Sequence, residues 1–283
     1  MTPGVSIVTP AYGAKDTIAR AARSIIRQTH RHWEWIIVAD DIVDYEAVLG
    51  KAGIVDQRIR FLATGATGSG SPKGRNIGIE AAQNRYSAIL DADDYMHETK
   101  LARAMEHLPN HGIVSCALEI VSATGETKRL VGVGTDRVLR ARDYKFTNLS
   151  MDSMLVYDRQ RADPRFNPDY PCLTDIEFLL RLFAASPGCF HVGQPLHTYV
   201  KQPGSISNKP GASSTMLSTK KRLIADICSG NYLLADPEGI AGMLEFYDLS
   251  LKAERDFEVS LAAQPGLLFE DHLEGLINST AKS

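Results

Sequence analysis

The chain has 283 residues, of which 44% are hydrophobic and 23% are charged, and its formal net charge at pH 7 is −3. These values are ordinary for a globular protein, and the length fits one large domain or one domain with a smaller appendage. The charge provides no global positive field, so a nucleic-acid partner is not expected. No stretch approaches the roughly 20 apolar residues of a membrane-spanning helix.

The first residues lead directly into a strand pattern and lack the basic and apolar regions of a signal peptide. We therefore expect a cytoplasmic protein. Peripheral membrane contact stays open because Lys220, Lys221 and Arg222 form a small basic cluster. The four cysteines contain no CxxC pair, so neither zinc nor a disulfide framework is expected.

The first hundred residues alternate between strand and helix patterns. Strands are predicted at 5–10, 33–40, 58–64 and 86–92, and helices at 15–28, 44–52, from the end of a Gly/Ser-rich loop (65–74) to about residue 84, and at 98–108. Strands joined by helices form βαβ units, which predicts an α/β fold with a mainly parallel sheet. In such open sheets ligands bind beyond the carboxyl ends of the strands.

The pattern changes after residue 110. Further strands are predicted at 112–121, 126–133, 152–159, 189–193 and 196–201, with a helix at 174–185 for which Thr174 is a candidate N-cap. The chain from residue 213 onward is predicted to be helical. We therefore expect one domain at 1–212, divided into halves at 1–110 and 111–212, and a helical C-terminal extension at 213–283. That extension could pack on the domain, bind an acceptor or form a dimer contact.

The fourth predicted strand ends in three carboxylates, Asp91, Asp93 and Asp94. One explanation is an acidic loop that caps the next helix, and the other is a divalent cation site. In extended backbone, Asp91 and Asp93 point the same way and can share a ligand, and Mg²⁺ or Mn²⁺ prefers oxygen ligands of this kind. An EF-hand is excluded because the sixth and twelfth positions are Met96 and Ala102 instead of Gly and Glu.

The loop before this strand reads GSGSPKGRN at 68–76 and contains Lys73 and Arg75. It matches neither the P-loop pattern nor GxGxxG. One explanation is a flexible surface loop. The alternative is that Lys73 and Arg75, at the start of a helix, face a phosphate or position the acidic loop.

Four segments stand in a distinctive order between about Val5 and Ser207, roughly three quarters of the chain. They are VSIVTPAYGAKDTIARAARSIIRQTHRHWEWIIVADD, GRNIGIEAAQNRYSAILDADD, which ends in a DxD motif, TDIEFLLRL and YVKQPGSIS. In this order the segments resemble glycosyltransferase family 2, whose members have a GT-A fold, a Rossmann-like fold of nucleotide-diphospho-sugar transferases.

The resemblance implies a glycosyltransferase, most simply a hexosyltransferase, that moves a sugar from a nucleotide-diphosphate donor to an acceptor hydroxyl. A UDP-sugar is the favoured donor, and the acceptor is a carbohydrate, a glycolipid or a small molecule. The implied reaction is a single displacement with inversion, assisted by Mn²⁺ or Mg²⁺. The half at 1–110 would bind the nucleotide, and the half at 111–212 would bind the acceptor.

The resemblance also implies roles for individual residues. The general base would be Asp175, with Glu177 as the second choice. The nucleobase would be bound by Pro10, Ala11, Tyr12 and either Asp40 or Asp41. Contact with the rest of the donor would come from Lys73 and Arg75, with Asp91 and Ala92 beside the ribose. The metal would be bound by Asp93 with Asp91.

The chain departs from the family pattern at several positions. Ile42 replaces a small polar turn residue, Thr174 stands where an acid is common, and Gln202 replaces a histidine that can bind the metal. His197 is an alternative third ligand. These departures motivate a second hypothesis, a catalytically weak relative that binds a nucleotide sugar or a protein partner. A phosphatase with an aspartyl nucleophile is a third, less well matched, because that motif usually stands near the start of the chain. A homodimer stays open.

Overall fold

The computed structural model describes residues 3–144, 151–162, 165–201, 212–264, 267 and 269–280. The strands are β1 (Val5–Ala11), β2 (Trp33–Ala39), β3 (Ile59–Ala63), β4 (Tyr86–Ile89), β5 (Tyr95–Met96), β6 (Ile113–Ser122), β7 (Thr127–Val131), β8 (Arg137–Arg140), β9 (Leu155–Asp158) and β10 (Gly188–Lys201). The helices are α1 (Ile18–Ile26), α2 (Tyr45–Lys51), α3 (Ser71–Ala81), α4 (Lys100–His111), α5 (Ala141–Tyr144), α6 (Thr174–Phe183), α7 (Ala212–Cys228), α8 (Gly239–Ala263) and α9 (Phe269–Thr280).

In the described part of the chain the ten strands form one mixed sheet. Its main path is β3-β2-β1-β4-β9-β6-β10-β5, with β7 beside β6 and β8 beside β10. The pairs β1–β2, β2–β3 and β1–β4 are parallel, and this confirms the βαβ arrangement predicted for the first half. Strand β9 is antiparallel to both of its neighbours, β4 and β6. The second half therefore runs largely antiparallel, apart from the parallel pair β6–β10.

Apolar side chains cover both faces of the sheet. Successive residues of β1 point to opposite faces, so Ile7 belongs to one core cluster and Val8 to the other. The cluster around Ile7 receives residues of α1, α2 and α4, such as Ile25. The cluster around Val8 receives residues of α3 and α6, such as Phe183. Burial on both faces explains why the first strands read as nearly continuous apolar runs.

Several predicted boundaries were wrong in ways that affect the site. Helix α3 begins at Ser71, so Lys73 lies in its first turn and not in a loop. Leu173 precedes α6 with a left-handed φ of 56°, so Thr174 is the first helical residue and not the cap. Segments 189–193 and 196–201 form one strand, β10, whose register against β6 shifts around Pro195 because proline cannot donate a backbone hydrogen bond.

The C-terminal helices pack on α6. Their apolar residues form a third core cluster with Ile176 and Leu180 of α6, and Tyr247 of α8 lies fully buried in it. Lys220 is also buried and forms an ion pair with Glu254 at 2.6 Å. Lys220 is therefore unavailable to a membrane surface. Within the described residues, no helix combines the length and the apolar character needed to cross a bilayer.

Candidate active site

Three groups of predicted site residues lie at one edge of the sheet. Pro10 and Ala11 end strand β1 and Tyr12 follows it, Asp40–Asp41 follow β2, and Asp91–Asp94 follow β4. The parallel register places Ala11 beside Ala39, so the carboxyl ends of β1 and β2 coincide. The parallel pairing of β4 with β1 brings the acidic segment to the same edge. This edge is where open α/β sheets bind ligands.

Asp40 holds the Gly/Ser-rich loop against the sheet. Its carboxylate accepts hydrogen bonds from the backbone N–H groups of Ser69 and Gly70, at 2.9 and 2.8 Å, and from Thr64 Oγ1 at 2.7 Å. Burial by itself would raise the pKa of Asp40, but these hydrogen bonds outweigh it and the pKa is lowered. Asp40 is thus a charged anchor inside the loop.

Asp41 organises the turn that follows β2. Its carboxylate accepts hydrogen bonds from the Gly13 N–H at 2.6 Å, from the Val43 N–H at 3.1 Å and from the Tyr45 hydroxyl at 2.9 Å. Unlike Asp40 it is only half-buried. Asp41 therefore ties the β1 end to the β2 end and keeps a side accessible to solvent.

Apolar side chains are exposed at this part of the edge. Tyr12 is 64% exposed and Ile42 is 96% exposed. Pro10 is half-buried and packs near Gly74, where an added Cβ would lie 3.1 Å from the Pro10 Cβ. Ala92 is buried, whereas Lys73 is exposed and reaches the Ser69 hydroxyl at 3.4 Å. A planar base could cover the exposed Tyr12 ring.

Arg75 connects the acidic segment to the second half of the chain. It is buried, with Nη2 at 2.8 Å from Asp91 Oδ1 and Nη1 at 3.1 Å from Asp152 Oδ2. Burial opposes its charge, but the carboxylates of Asp152 and Asp91, and more weakly Asp175, raise the pKa of Arg75. The guanidinium lies 5.1 Å from the centre of the Phe166 ring. A forked cation between two carboxylates is a rigid arrangement.

Asp152 is a site residue that the sequence reasoning missed. It lies in a short 3₁₀ turn before β9 and is 4% exposed. Burial raises its pKa to about 7, although the charge of Arg75 acts in the opposite direction. The prediction treated residues 152–159 as one strand, which left Asp152 as an ordinary edge residue. A carboxylate at the start of an otherwise apolar run was the available signal.

Asp93 is the best-placed carboxylate for a cation. It is half-buried, and burial, followed by the charge of Asp91, raises its pKa. A bound cation would relieve both costs, so the residues fit Mn²⁺ or Mg²⁺. Asp91 is partly neutralised by Arg75 and fits better as a second ligand. Among the residues that the structure describes, no three His, Cys, Asp or Glu side chains cluster as a preformed metal site. This agrees with an ion held by one or two carboxylates plus substrate phosphates.

Asp94 belongs to a buried polar network. Its Oδ1 accepts the Val200 N–H at 2.8 Å, and its Oδ2 lies 3.2 Å from His197 Nε2. His197 Nδ1 lies 3.3 Å from Lys100 Nζ, which also donates to the Ser153 carbonyl. Burial, followed by the charge of Lys100, holds the pKa of His197 well below its usual value, so the ring is neutral.

The neutral ring explains the geometry of this network. Nε2–H donates to Asp94, and Nδ1 accepts from Lys100. Both ring nitrogens of His197 are engaged, so metal binding by His197 would require breaking the network. The network fixes the acidic segment to β10 and, through Lys100, to α4.

We expect the change Asp94→Ala to lower the free energy of unfolding by about 1–3 kcal/mol, because it leaves buried hydrogen-bonding groups without their partner. The Val200 N–H would lose its acceptor, and Lys100 would remain buried without a carboxylate in its network. Urea unfolding monitored by circular dichroism measures the change. The matched control is Asp16→Ala, at an exposed aspartate. A loss as small as that of the control would contradict the structural role.

Asp175 and Glu177 lie on the same helix but have different surroundings. Asp175 is the second residue of α6 and half-buried, and its charge reaches Arg75 and Asp152. Glu177 is fully buried, 2.7 Å from both Arg181 Nε and the Tyr232 hydroxyl. Asp175 is therefore near enough to Arg75 and Asp152 for its charge to act on them, and Glu177 connects α6 to the C-terminal extension. Gln202, which like His197 was only a candidate for a third metal ligand, lies outside the described residues.

The edge described above carries a family signature. Residues 6–159, more than half of the 283-residue chain, match the model of glycosyl transferase family 2. The chain belongs to this family. The matched range contains Asp40, Arg75, the DxD segment and Asp152, and it ends before Asp175.

Curated relatives within the family match part of this chain. The succinoglycan biosynthesis protein ExoO of Rhizobium meliloti is 35% identical over 130 residues, which cover 45% of this chain and 37% of ExoO. The UDP-Glc:alpha-D-GlcNAc-diphosphoundecaprenol beta-1,3-glucosyltransferase WfgD of Escherichia coli is 34% identical over 97 residues, which cover 34% of this chain and 38% of WfgD. The chain thus spans less than half the length of these relatives.

Solved structures show the same fold at low sequence identity. S. aureus TarS in complex with UDP-GlcNAc superimposes with a TM-score of 0.72 at 14% identity, covering 96% of this chain and 78% of TarS. The mannosyltransferase PcManGT from Pyrobaculum calidifontis, in complex with GDP-Man and Mn²⁺, has a TM-score of 0.59 at 15% identity, covering 100% of this chain and 81% of PcManGT. The predicted GT-A fold is confirmed by these neighbours and by the family match.

Proposed function

We propose that this chain is an inverting glycosyltransferase that moves a sugar, most simply a hexose, from a nucleotide-diphosphate donor to an acceptor hydroxyl. The observation that carries the proposal is the convergence of Asp93, the Asp91–Arg75–Asp152 cluster and Asp175 at the carboxyl edge of the sheet. A UDP-sugar is the favoured donor, in line with the UDP-GlcNAc held by TarS and the UDP-Glc in the name of WfgD. The acceptor is a carbohydrate, a glycolipid or a small molecule.

The nucleotide would lie across the ends of β1 and β2. Tyr12 offers an exposed ring for the nucleobase, next to Pro10 and Ala11 in the chain. The half-buried Asp41 can accept a hydrogen bond from the nucleobase. Asp40 acts through the loop that it holds in place. Lys73 lies exposed in the first turn of α3, where a cation and the helix N-terminus both favour phosphate.

Charge compensation would depend on the acidic segment and its partners. Asp93, with Asp91 as a second ligand, would hold Mn²⁺ or Mg²⁺, and Ala92 anchors the segment in the core cluster around Ile7. The bound ion supplies Lewis-acid stabilisation of the charge on the departing diphosphate and orients the donor. Arg75 fixes Asp91 at 2.8 Å, so the Asp91 carboxylate keeps its orientation as the donor arrives.

Asp175 would remove the proton of the acceptor hydroxyl as the new bond forms. A carboxylate in this position contributes typically about 10²–10⁴-fold to the rate. If the general base lies on the face of the sugar opposite the leaving diphosphate, the acceptor displaces the diphosphate in one step. That step inverts the anomeric centre. No residue of this cluster is needed as a covalent nucleophile.

The experiment is a screen of nucleotide sugars by thermal unfolding, with and without Mn²⁺, followed by a transfer or hydrolysis assay with each donor that binds. A bound donor raises the midpoint according to ln(1 + [L]/Kd). Turnover of a UDP-sugar with an inverted product supports the proposal. Binding without turnover across a broad acceptor panel would favour a catalytically weak relative. Phosphate release from simple phosphoesters without UDP binding would favour a phosphatase.

A further inference from the structure

A cavity lies at the opposite edge of the sheet from the candidate active site. Its volume is about 450 Å³, within the roughly 300–1,000 Å³ of small-molecule sites. It is lined by the segments that precede β6 and β10 and by the connection between α7 and α8. Strand β6 runs parallel to β4, because both are antiparallel to β9, so the start of β6 lies at the amino edge. A ligand here would be separate from the donor.

Two arginines give this cavity its charge. Arg140 ends β8 and is exposed, and within the described ranges no carboxylate lies within ion-pair distance of it. Arg161 is held in place, since its Nη2 donates to the Pro109 carbonyl at 2.8 Å and its Nε lies 3.4 Å from Asp158 Oδ2. It crosses Gly112, where an added Cβ would lie 2.6 Å from the Arg161 Cδ. One free and one fixed guanidinium favour an anionic group.

Asp236, in the C-terminal extension, adds a carboxylate to the cavity, and this carboxylate needs a hydrogen-bond donor. This residue is only 6% exposed, and its Oδ1 accepts the Glu238 N–H at 3.2 Å. Its Oδ2 is buried without a hydrogen-bond partner in the described structure. Such an oxygen is costly unless a donor reaches it. A hydroxyl group of a ligand would satisfy it once the Asp236 side chain turns this oxygen toward the cavity.

His111 adds a neutral polar group to the lining. Burial, and then the neighbouring His107 and Arg161, lower its pKa, so the ring is uncharged at neutral pH. The neutral ring can donate a hydrogen bond to a ligand hydroxyl or accept one from it, without adding charge to the cavity. The lining thus combines an anion-binding part, a hydroxyl acceptor and a neutral polar ring.

We propose that this cavity binds a small hydroxylated anion, a sugar that carries a phosphate or a carboxylate group. Its acidic group would contact Arg140 and Arg161, and one hydroxyl would donate to Asp236 Oδ2. This site is independent of the proposed sugar transfer. It also gives the C-terminal extension a role beyond its packing on α6, because the cavity is incomplete without Asp236.

The test is titration calorimetry on the full chain with glucose 1-phosphate, glucuronate, inorganic phosphate and glucose, at saturating UDP and Mn²⁺. Either anionic sugar should bind more tightly than glucose or phosphate, and the preferred one identifies the acidic group. Because a charge-assisted hydrogen bond is lost, Arg140→Gln should weaken binding about tenfold or more. Asp236→Asn should also weaken it. Arg255→Gln, at an exposed arginine of α8, is the charge-matched control and should change nothing.

Three results would overturn the proposal. The first is that neither anionic sugar binds at millimolar concentration. The second is binding that Arg140→Gln and Arg255→Gln reduce equally or not at all, with both variants keeping the wild-type unfolding midpoint. The third is binding that a parallel titration without UDP and Mn²⁺ detects and the titration with them does not, because the probe would then occupy the donor site.

Discussion

The change Asp175→Asn is expected to lower the rate of sugar transfer by about 10²–10⁴-fold, the usual contribution of a general base. Asparagine preserves the shape and the hydrogen-bonding reach of the side chain but cannot take a proton. Donor binding should persist, because the proposed nucleotide contacts lie at the ends of β1 and β2, whereas Asp175 belongs to α6. The measurements are kcat for transfer and the donor-induced shift of the unfolding midpoint.

Two variants serve as controls for Asp175→Asn. Asp169→Asn makes the same chemical change at an exposed aspartate nearby and should leave kcat unchanged. Glu177→Gln should instead reduce stability, because Glu177 is buried against Arg181 and Tyr232. If Asp175→Asn keeps kcat within a few-fold of the wild-type value, or if Glu177→Gln is the variant that loses activity without losing stability, the assignment of the base is wrong.

The change Asp93→Ala is expected to remove the Mn²⁺-dependent part of donor binding and to lower transfer by about 100-fold or more, since a bound ion contributes several kcal/mol of charge stabilisation. Among the described residues the Asp93 carboxylate forms no ion pair, although Arg20 donates to the Asp93 carbonyl, whereas Asp91 is partly neutralised by Arg75. The measurement is the unfolding midpoint with UDP-sugar, with and without Mn²⁺.

The same variant has a second signature in the absence of metal. Burial and the charge of Asp91 raise the pKa of Asp93, so ionised Asp93 is less favourable in the folded than in the unfolded chain. Its removal should therefore leave the metal-free unfolding midpoint unchanged or raise it. Asp16→Ala, at an exposed aspartate, is the control for both readings. A Mn²⁺-dependent donor shift of wild-type size in Asp93→Ala would contradict metal binding by this residue.

The packing of the C-terminal extension bears on catalysis through α6. Glu177 lies two residues from Asp175 and accepts a hydrogen bond from the hydroxyl of Tyr232, which belongs to the segment between α7 and α8. Ile176 and Leu180 of the same helix are buried among residues of the extension. The orientation of the proposed base is therefore set by the extension on one side and by the sheet on the other.

Most of the first half could be predicted from the sequence. Each strand there is a short apolar run bounded by turn residues, and each is followed by a helix, so local pattern and parallel topology agree. The DxD position at the end of β4 follows directly, because parallel strands place their carboxyl ends at one edge. The family match and the fold of TarS confirm the family and the fold predicted for this half.

The second half was harder because its strands pair over long distances. Strand β9 runs between β4 and β6 although many residues separate it from β4 in sequence, and β8 is a four-residue edge strand with little pattern of its own. Asp152 became visible as a site residue only when β9 placed it against Arg75, at 3.1 Å. No local pattern records such a contact, since it depends on strand order.

The amino-acid sequence by itself determined the α/β class, the family and the residues at the carboxyl edge, because hydrophobic period and motif order are local properties of the chain. The tertiary structure decided which of these side chains stay accessible to a ligand and which are engaged in internal contacts. It placed Asp40 inside a loop, tied Asp94 and His197 into a buried network, and set Glu177 against the extension. The physical reason is that burial and hydrogen-bond partners, which determine the charge and availability of a side chain, come from segments distant in sequence.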